Sequence, residues 1–275
     1  MHFDVFAEVA FSPGGAHLID SKEAMRRDWD ERAQHNAFFY IASWRKDWDE
    51  VSFFESGEDD YLRLVQPILR KLEFDPASKC VAELGCGAGR MTRSFARRFG
   101  SVIAVDISSE MQARARDYLH SLSNIQWVLS DGESLAGVPT ASVDFVFSYL
   151  VLQHMPNREL VRSSIREMMR ILLPGGAFLF QFNGSERTTM NWKGRTLSRL
   201  LDGLVSLGLK RSSQRLASIA GIDPEMIGKT WRGAALATYD VTDVLTSAQA
   251  IPQGFFDQGS PFEWCYGRKR SEERE

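Results

Sequence analysis

Residues 81–90 read VAELGCGAGR: an apolar run opens into Gly85, Gly87 and Gly89 within five residues, with Glu83 two positions upstream. A β-rich run that breaks into glycines reads as a strand, a tight turn and the start of a helix. Such a turn lets the backbone approach a ligand closely and leaves the first helical N–H groups free to face it. The dinucleotide fingerprint GxGxxG uses its third glycine for close packing of helix on strand. Arg90 stands where that glycine would be, so the spacing departs from the dinucleotide pattern. A tight strand-to-helix turn with no ligand is the plain alternative.

Outward from this turn, residues 78–184 alternate β-rich and helical runs. CVAEL, SVIAVDI, NIQWVLS, VDFVFSYL and AFLFQFN read as strands. GRMTRSFARRF, SEMQARARDYLHSL and NRELVRSSIREMMRIL read as helices, the last ending at Pro174-Gly175-Gly176. Near-continuously apolar strands alternating with helices predict a parallel sheet covered on both faces. The fold class expected is therefore α/β: a doubly wound, Rossmann-like sheet with N-terminal helices and a helical insertion near the C-terminal part.

In the N-terminal block, Asp20 and Glu23 have capping-box spacing, and Met25, Trp29, Ala33, Ala37, Ile41 and Trp44 recur at near-helical intervals. A second run, EDDYLRLVQPILRKLEF, places Tyr61, Val65, Ile68, Leu69 and Leu72 on one face and predicts a kink at Pro67. Beyond residue 184, Trp192, Leu197, Leu200, Leu201, Leu204 and Val205 share a helical face. TYDVTDVLTSAQ then reads as a last crossover helix, and FEWCYG (262–267) as a final strand with a partner around 249–256. The division expected is a helical cap over the ligand site at 1–75, a core at 76–184 and 231–270, a helical lid insertion at 185–230, and a tail at 271–275.

Composition bounds the function. The 275 residues are 44% hydrophobic and 25% charged with a net charge of −3, enough for one large core and without global attraction to a polyanion. No Lys/Arg stripe interleaved with aromatics stands out, so nucleic acid is disfavoured as a partner. Cys80, Cys86 and Cys265 lack CxxC spacing and read as free thiols, giving neither a disulfide framework nor a metal site. No stretch approaches the roughly 20 apolar residues of a membrane span, and the first twenty residues lack a signal-peptide pattern, so a cytoplasmic address is expected. Nothing in the chain reports an oligomeric state.

Two acids narrow the ligand. Asp106 ends the second strand, where it can accept hydrogen bonds from ribose hydroxyls or cap the helix that follows. Asp131-Gly132 follows the third strand, where the acid can meet an adenine amino group. Glu83 would be unfavourable beside a phosphate but favourable beside an ammonium. A compact adenosine with an amino-acid anchor fits this set better than a dinucleotide, which disfavours an NAD-dependent oxidoreductase.

The ordered set EXGXGXG (83–89), DISSEM (106–111), SDG (130–132), DFVFSYLVLQHM (144–155) and LLPGG (172–176) resembles the class I S-adenosylmethionine-dependent methyltransferases, particularly the small-molecule branch called type 11. The resemblance implies S-adenosyl-L-methionine as cofactor and S-adenosyl-L-homocysteine as product. It implies that Gly85, Cys86, Gly87 and Gly89 pass under the cofactor, that Glu83 orients its methionine end, and that Asp106 holds its ribose. Ile107 and Met111 would flank the adenine, Asp131 and Gly132 would meet its edge, and Ser148 and Tyr149 would border the sulfonium. Met111 reads equally as core.

Methyl transfer from a sulfonium is an in-line displacement, so positioning can supply much of the catalysis. A hydroxyl acceptor also needs a base, and His154 stands just beyond the fourth strand, at the sheet edge where ligands of open α/β sheets bind. Tyr40 is its counterpart in the resemblance. Packing or capping is the plain alternative for His154, and aromatic core for Tyr40. The reading is O-methylation of a small hydrophobic or aromatic acceptor. N- or C-methylation and a non-catalytic cofactor-binding partner subunit are the alternatives. SYLVLQ after Phe147 lacks the Asn/Asp-Pro-Pro-Tyr pattern of amino-group methylation.

Overall fold

The computed structural model describes residues 15–185 and 233–271, with five isolated positions between them. In chain order the strands are β1 (Cys80–Leu84), β2 (Ser101–Asp106), β3 (Ile125–Leu129), β4 (Val143–Ser148), β5 (Leu172–Phe182), β6 (Ala250–Phe256) and β7 (Glu263–Lys269). They form one sheet in the order β3-β2-β1-β4-β5-β7-β6. The first five run parallel, while β7 pairs antiparallel with both β5 and β6. The order reverses between β1 and β4, so the carboxyl ends of these two strands frame the crevice where doubly wound sheets bind ligands.

Helices cover both faces: α1 (Gly15–Ile41), α2 (Glu50–Asp60), α3 (Gln66–Lys71), α4 (Thr92–Ala96), α5 (Ser109–Tyr118), α6 (Arg158–Ile171) and α7 (Thr238–Ser247). Alternation along β4 shows why. Val146 joins Val161, Ile165 and Met168 of α6 on one face. Phe145 and Phe147 join Phe95, Phe99, Leu64 and Leu69 on the other. The β2 interior is apolar on both sides because neither face meets water, and β1 is too, apart from the buried Glu83. Local chemistry fixes the helix starts: Asp49, Ser108 and Asn157 accept the N–H groups of Ser52, Met111 and Leu160.

The structure corrects four local expectations. Helix α1 already spans Gly15 to Ile41, so Asp20 lies inside it and no capping box starts there. Glu23 instead receives Arg26 at 2.6 Å and Arg27 at 3.1 Å. Asn36 leaves the helical region (φ −164, ψ 84), and its Oδ1 accepts the Phe39 N–H, so the segment is a broken helix. Trp44 falls beyond the helix and is 57% exposed, off the apolar face. The irregularity expected at Pro67 sits one turn earlier, as a π-helical turn over Tyr61–Val65, because proline offers no N–H to the preceding turn. Finally, the 172–176 run belongs to β5, with the pairing to β4 shifting between Val143 and Phe145.

The insertion expected over 185–230, its apolar face from Trp192 to Val205, and the tail from 272 lie outside the described residues, apart from Ser185 and isolated positions. Among the described residues no helix is long and apolar enough to cross a membrane.

Candidate functional site

The turn after β1 is held to β2 by the N–H groups of Gly85 and Cys86, which donate to the Val105 carbonyl at 2.7 and 3.0 Å. Gly85, Gly87 and Gly89 have φ of +80, +52 and +86, a region that L side chains rarely adopt. Each also faces a close neighbour. A Cβ on Gly85 would stand 2.0 Å from Val151 Cγ2, one on Gly87 2.8 Å from Ile41 Cδ1, and one on Gly89 2.7 Å from Leu119 Cδ1. Gly89 therefore admits the helix that follows β2, while Gly85 and Gly87 open toward the sheet's carboxyl edge. Gly132 (φ +83) repeats the arrangement against Ile107 and Met25.

Two buried carboxyls flank the loop. Asp106, 8% exposed, accepts the Gly87 N–H on Oδ2 at 2.7 Å and the Ser108 N–H on Oδ1 at 2.9 Å. Burial pushes its carboxyl above the usual range against the pull of these donors. Glu83 lies on β1 between Ala104 of β2 and Phe147 of β4. It is 3% exposed, and Oε2 accepts the Thr92 hydroxyl at 2.6 Å. Burial pushes the Glu83 carboxyl up to about 8, with Asp106 adding to the shift and Thr92 and Arg90 opposing it.

The other expected residues take varied roles. Cys86 is buried, and burial pushes its thiol well above the ordinary range. Asp131 serves its own turn: Oδ1 accepts the N–H groups of Ser134 and Glu133 at 2.7 and 2.9 Å, and Oδ2 the Ser134 hydroxyl. Met111 is buried among Ala33, Ala37 and Phe53, as the core reading had it. Ser148 is buried and donates to the Leu84 carbonyl at 3.2 Å. Tyr149 packs on Trp264 at 5.0 Å and under Arg90 at 5.5 Å. With Trp44, Ser56, Asp59, Asp60 and Arg63 it lines a cavity of about 280 Å³. Arg90 itself is turned to Asp60 at 2.7 Å.

Residues 82–180, which hold the glycine turn, both buried carboxyls and β4, match a family described as a methyltransferase domain. This stretch of the chain is thus similar to methyltransferase domains. The chain is similar to trans-aconitate 2-methyltransferase of Azoarcus sp. (strain BH72), 31% identical over 136 residues, or 49% of this chain and 50% of that protein. It is also similar to ubiquinone biosynthesis O-methyltransferase of the same strain, 30% identical over 105 residues, or 38% of this chain and 44% of that protein. The chain thus spans about half the length of the curated relatives it matches. Among solved structures, magnesium protoporphyrin IX methyltransferase from Synechocystis PCC 6803 with bound SAH shares the fold, with a TM-score of 0.57 and 17% identity over 91% of this chain and 100% of that one.

Helix α1 lies against the loops that follow β1, β2 and β3. Lys22 pairs with Glu133, Met25 reaches Gly132, and Ile41 reaches Gly87. Asp30 accepts the Ser108 hydroxyl at 2.6 Å and the Glu110 N–H at 3.3 Å, placing an acid at the start of α5. Between these contacts, Arg32 is fully buried, pairs with Asp28 at 2.6 Å and stacks on Trp29 and Tyr40 at 4.5 and 5.6 Å. Trp29 in turn meets the His154 ring edge-on at 5.6 Å. Tyr40 and His154 are thus linked through Arg32 and Trp29, and Nε2 of His154 lies 3.4 Å from the Gln153 amide.

Arg32, Asp30 and Thr92 stand in contact with residues of the expected site, and the sequence reading did not single them out. Arg32 carried a faint signal in its (i, i+4) spacing from Asp28. Thr92 carried none, because its link to Glu83 exists only once the turn brings α4 back onto β1.

Proposed function

We propose that the chain is an S-adenosylmethionine-dependent methyltransferase that transfers to oxygen on a small molecule, with His154 as general base. The observation that carries this reading is the glycine cradle at positive φ between two buried carboxyls, Glu83 and Asp106. Two buried acids suit ribose hydroxyls and an ammonium and oppose a phosphate, and Arg90 is turned to Asp60. The residues therefore fit the cofactor. Gly85, Cys86 and Gly87 would hold its methionine end, Glu83 its ammonium, Asp106 its ribose, Ile107 its adenine, and Ser148 and Tyr149 its sulfonium side. When bound, the cofactor supplies an activated methyl group.

The chain's own residues supply the rest. Helix α1 caps the edge and excludes water, a proposal supported by its contacts at Gly87, Gly132 and Ser108. His154 would take the acceptor's hydroxyl proton, the Trp29 ring fixing the imidazole plane. Tyr40, beneath the Arg32 guanidinium, would orient the acceptor oxygen. Two relatives are named for trans-aconitate and for ubiquinone biosynthesis, which supports a small-molecule acceptor. A second reading, transfer to a carboxylate oxygen, is favoured by the buried Arg32 cation beside this site and by the relative named for trans-aconitate, a polycarboxylate.

The test is calorimetric titration with S-adenosylmethionine, S-adenosylhomocysteine and NADH, followed by turnover on phenols and on small carboxylic acids with and without His154→Ala. Expected are binding of both sulfur nucleotides, none of NADH, and phenol turnover reduced about a hundredfold in the variant. Carboxylic-acid turnover that His154→Ala leaves intact would select the second reading. Binding of NADH alone would overturn both.

A further inference from the structure

Thr92 and Glu83 form a pair that the reaction above does not yet use. Thr92 opens α4, is fully buried, and donates its hydroxyl to Oε2 of Glu83 at 2.6 Å. Oε1 of the same carboxyl accepts no hydrogen bond from any described residue. Arg90 faces this group from the loop before α4, Asp106 from β2 and Cys86 from the glycine turn. The register neighbours on the flanking strands, Ala104 and Phe147, are uncharged.

We propose that Thr92 is a positioning residue for the cofactor's amino-acid end: it holds one oxygen of Glu83, fixes the carboxyl's rotamer, and leaves the other oxygen to receive the ammonium. This rests on the S-adenosylmethionine reading above.

Its consequence is a proton released on binding. Burial pushes the Glu83 carboxyl up to about 8, so at neutral pH it is largely protonated before the ligand arrives. Because Oε2 already accepts from Thr92, the proton resides on Oε1, the oxygen that the ammonium requires. As the ammonium arrives, the O–H bond breaks, its electron pair stays on the carboxylate, and the proton leaves to solvent. Affinity therefore climbs with pH up to about 8, approaching tenfold per pH unit below it. Removing the Thr92 hydroxyl takes a charge-assisted bond from the carboxylate, so affinity falls and the midpoint moves to higher pH.

The experiment is titration of S-adenosylhomocysteine into wild type, Thr92→Val and Thr92→Ser from pH 6 to 9, in buffers of differing ionisation enthalpy. 5′-Methylthioadenosine, which lacks the amino-acid end, is the control ligand. Expected in wild type are a pH-dependent S-adenosylhomocysteine affinity with nearly one proton released at pH 7 and, for methylthioadenosine, whose ribose meets Asp106 but which offers Glu83 nothing, a shallower pH dependence that Thr92→Val leaves unchanged. Thr92→Val weakens S-adenosylhomocysteine about tenfold at pH 7, moves the midpoint up and spares methylthioadenosine, while Thr92→Ser restores both. A flat profile in wild type, an unmoved midpoint in Thr92→Val, or equal weakening of both ligands overturns the proposal. Failure of wild type to bind either nucleoside overturns the cofactor reading itself, a result distinct from all of these.

Discussion

Glu83→Gln is expected to make the ligand-free protein more stable while removing its ability to hold the cofactor. In the folded chain burial pushes the Glu83 carboxyl from 4.5 up to about 8. Between these values the folded state keeps a proton that the unfolded state has lost. Stability from this group is therefore complete below about pH 4.5, declines as pH rises, and is gone above about 8. At about 1.4 kcal/mol per pH unit, ionising Glu83 in the fold costs about 5 kcal/mol by pH 8.5, an upper figure that penetrating water would reduce. Glutamine is neutral throughout and still offers an amide oxygen to Thr92. Urea denaturation of both proteins without ligand, from pH 5 to 9, reads the effect as a difference. The variant should match wild type near pH 5 and exceed it by several kcal/mol at pH 8.5. Asp106, also raised by burial, adds slope to both curves, and because it is coupled to Glu83 its contribution cancels only in part. Parallel curves across the whole range would refute the reasoning, because they would mean that Glu83 ionises in the fold without cost.

Two further perturbations test the frame around the site. Gly85→Ala should cost about 3 kcal/mol by denaturation and abolish cofactor binding, since its Cβ meets Val151 at 2.0 Å as well as adopting φ +80. Gly259→Ala, at φ +71 with open space around it, should cost only about 1 kcal/mol, so equal losses would discount the Val151 contact. Arg90→Met should lower stability by about 3 kcal/mol because Asp60, 7% exposed, loses its buried partner. A loss under about 0.5 kcal/mol would show that Arg63, also bonded to Asp60 at 2.6 Å, suffices alone.

The methyltransferase core was legible in the chain because each of its signals is local. The strands beginning at 80, 101, 125, 143 and 172 carry apolar runs, and the glycine turn and Asp106 fall within a few residues of the strands they follow or end. The late hairpin of β6 and β7 was legible for the same reason. What failed lay where competing local signals are weak: Asp20 mimicked a cap inside a continuing helix, and Pro67 marked an irregularity that the backbone placed one turn earlier.

By itself, then, the sequence determined that a doubly wound sheet forms and that a glycine turn opens at its carboxyl edge, since hydrophobic period and glycine's freedom at positive φ act within single elements. Only the tertiary structure decided what that turn faces. It brought Thr92 onto Glu83, Gly87 onto Asp106, Asp30 onto Ser108, and the chain of Tyr40, Arg32, Trp29 and His154 across the edge. Gly87 and Asp106, Asp30 and Ser108, and Trp29 and His154 stand far apart along the chain. A buried hydrogen bond or ring contact between such residues follows from how helices settle on a closed core, and no local pattern encodes it.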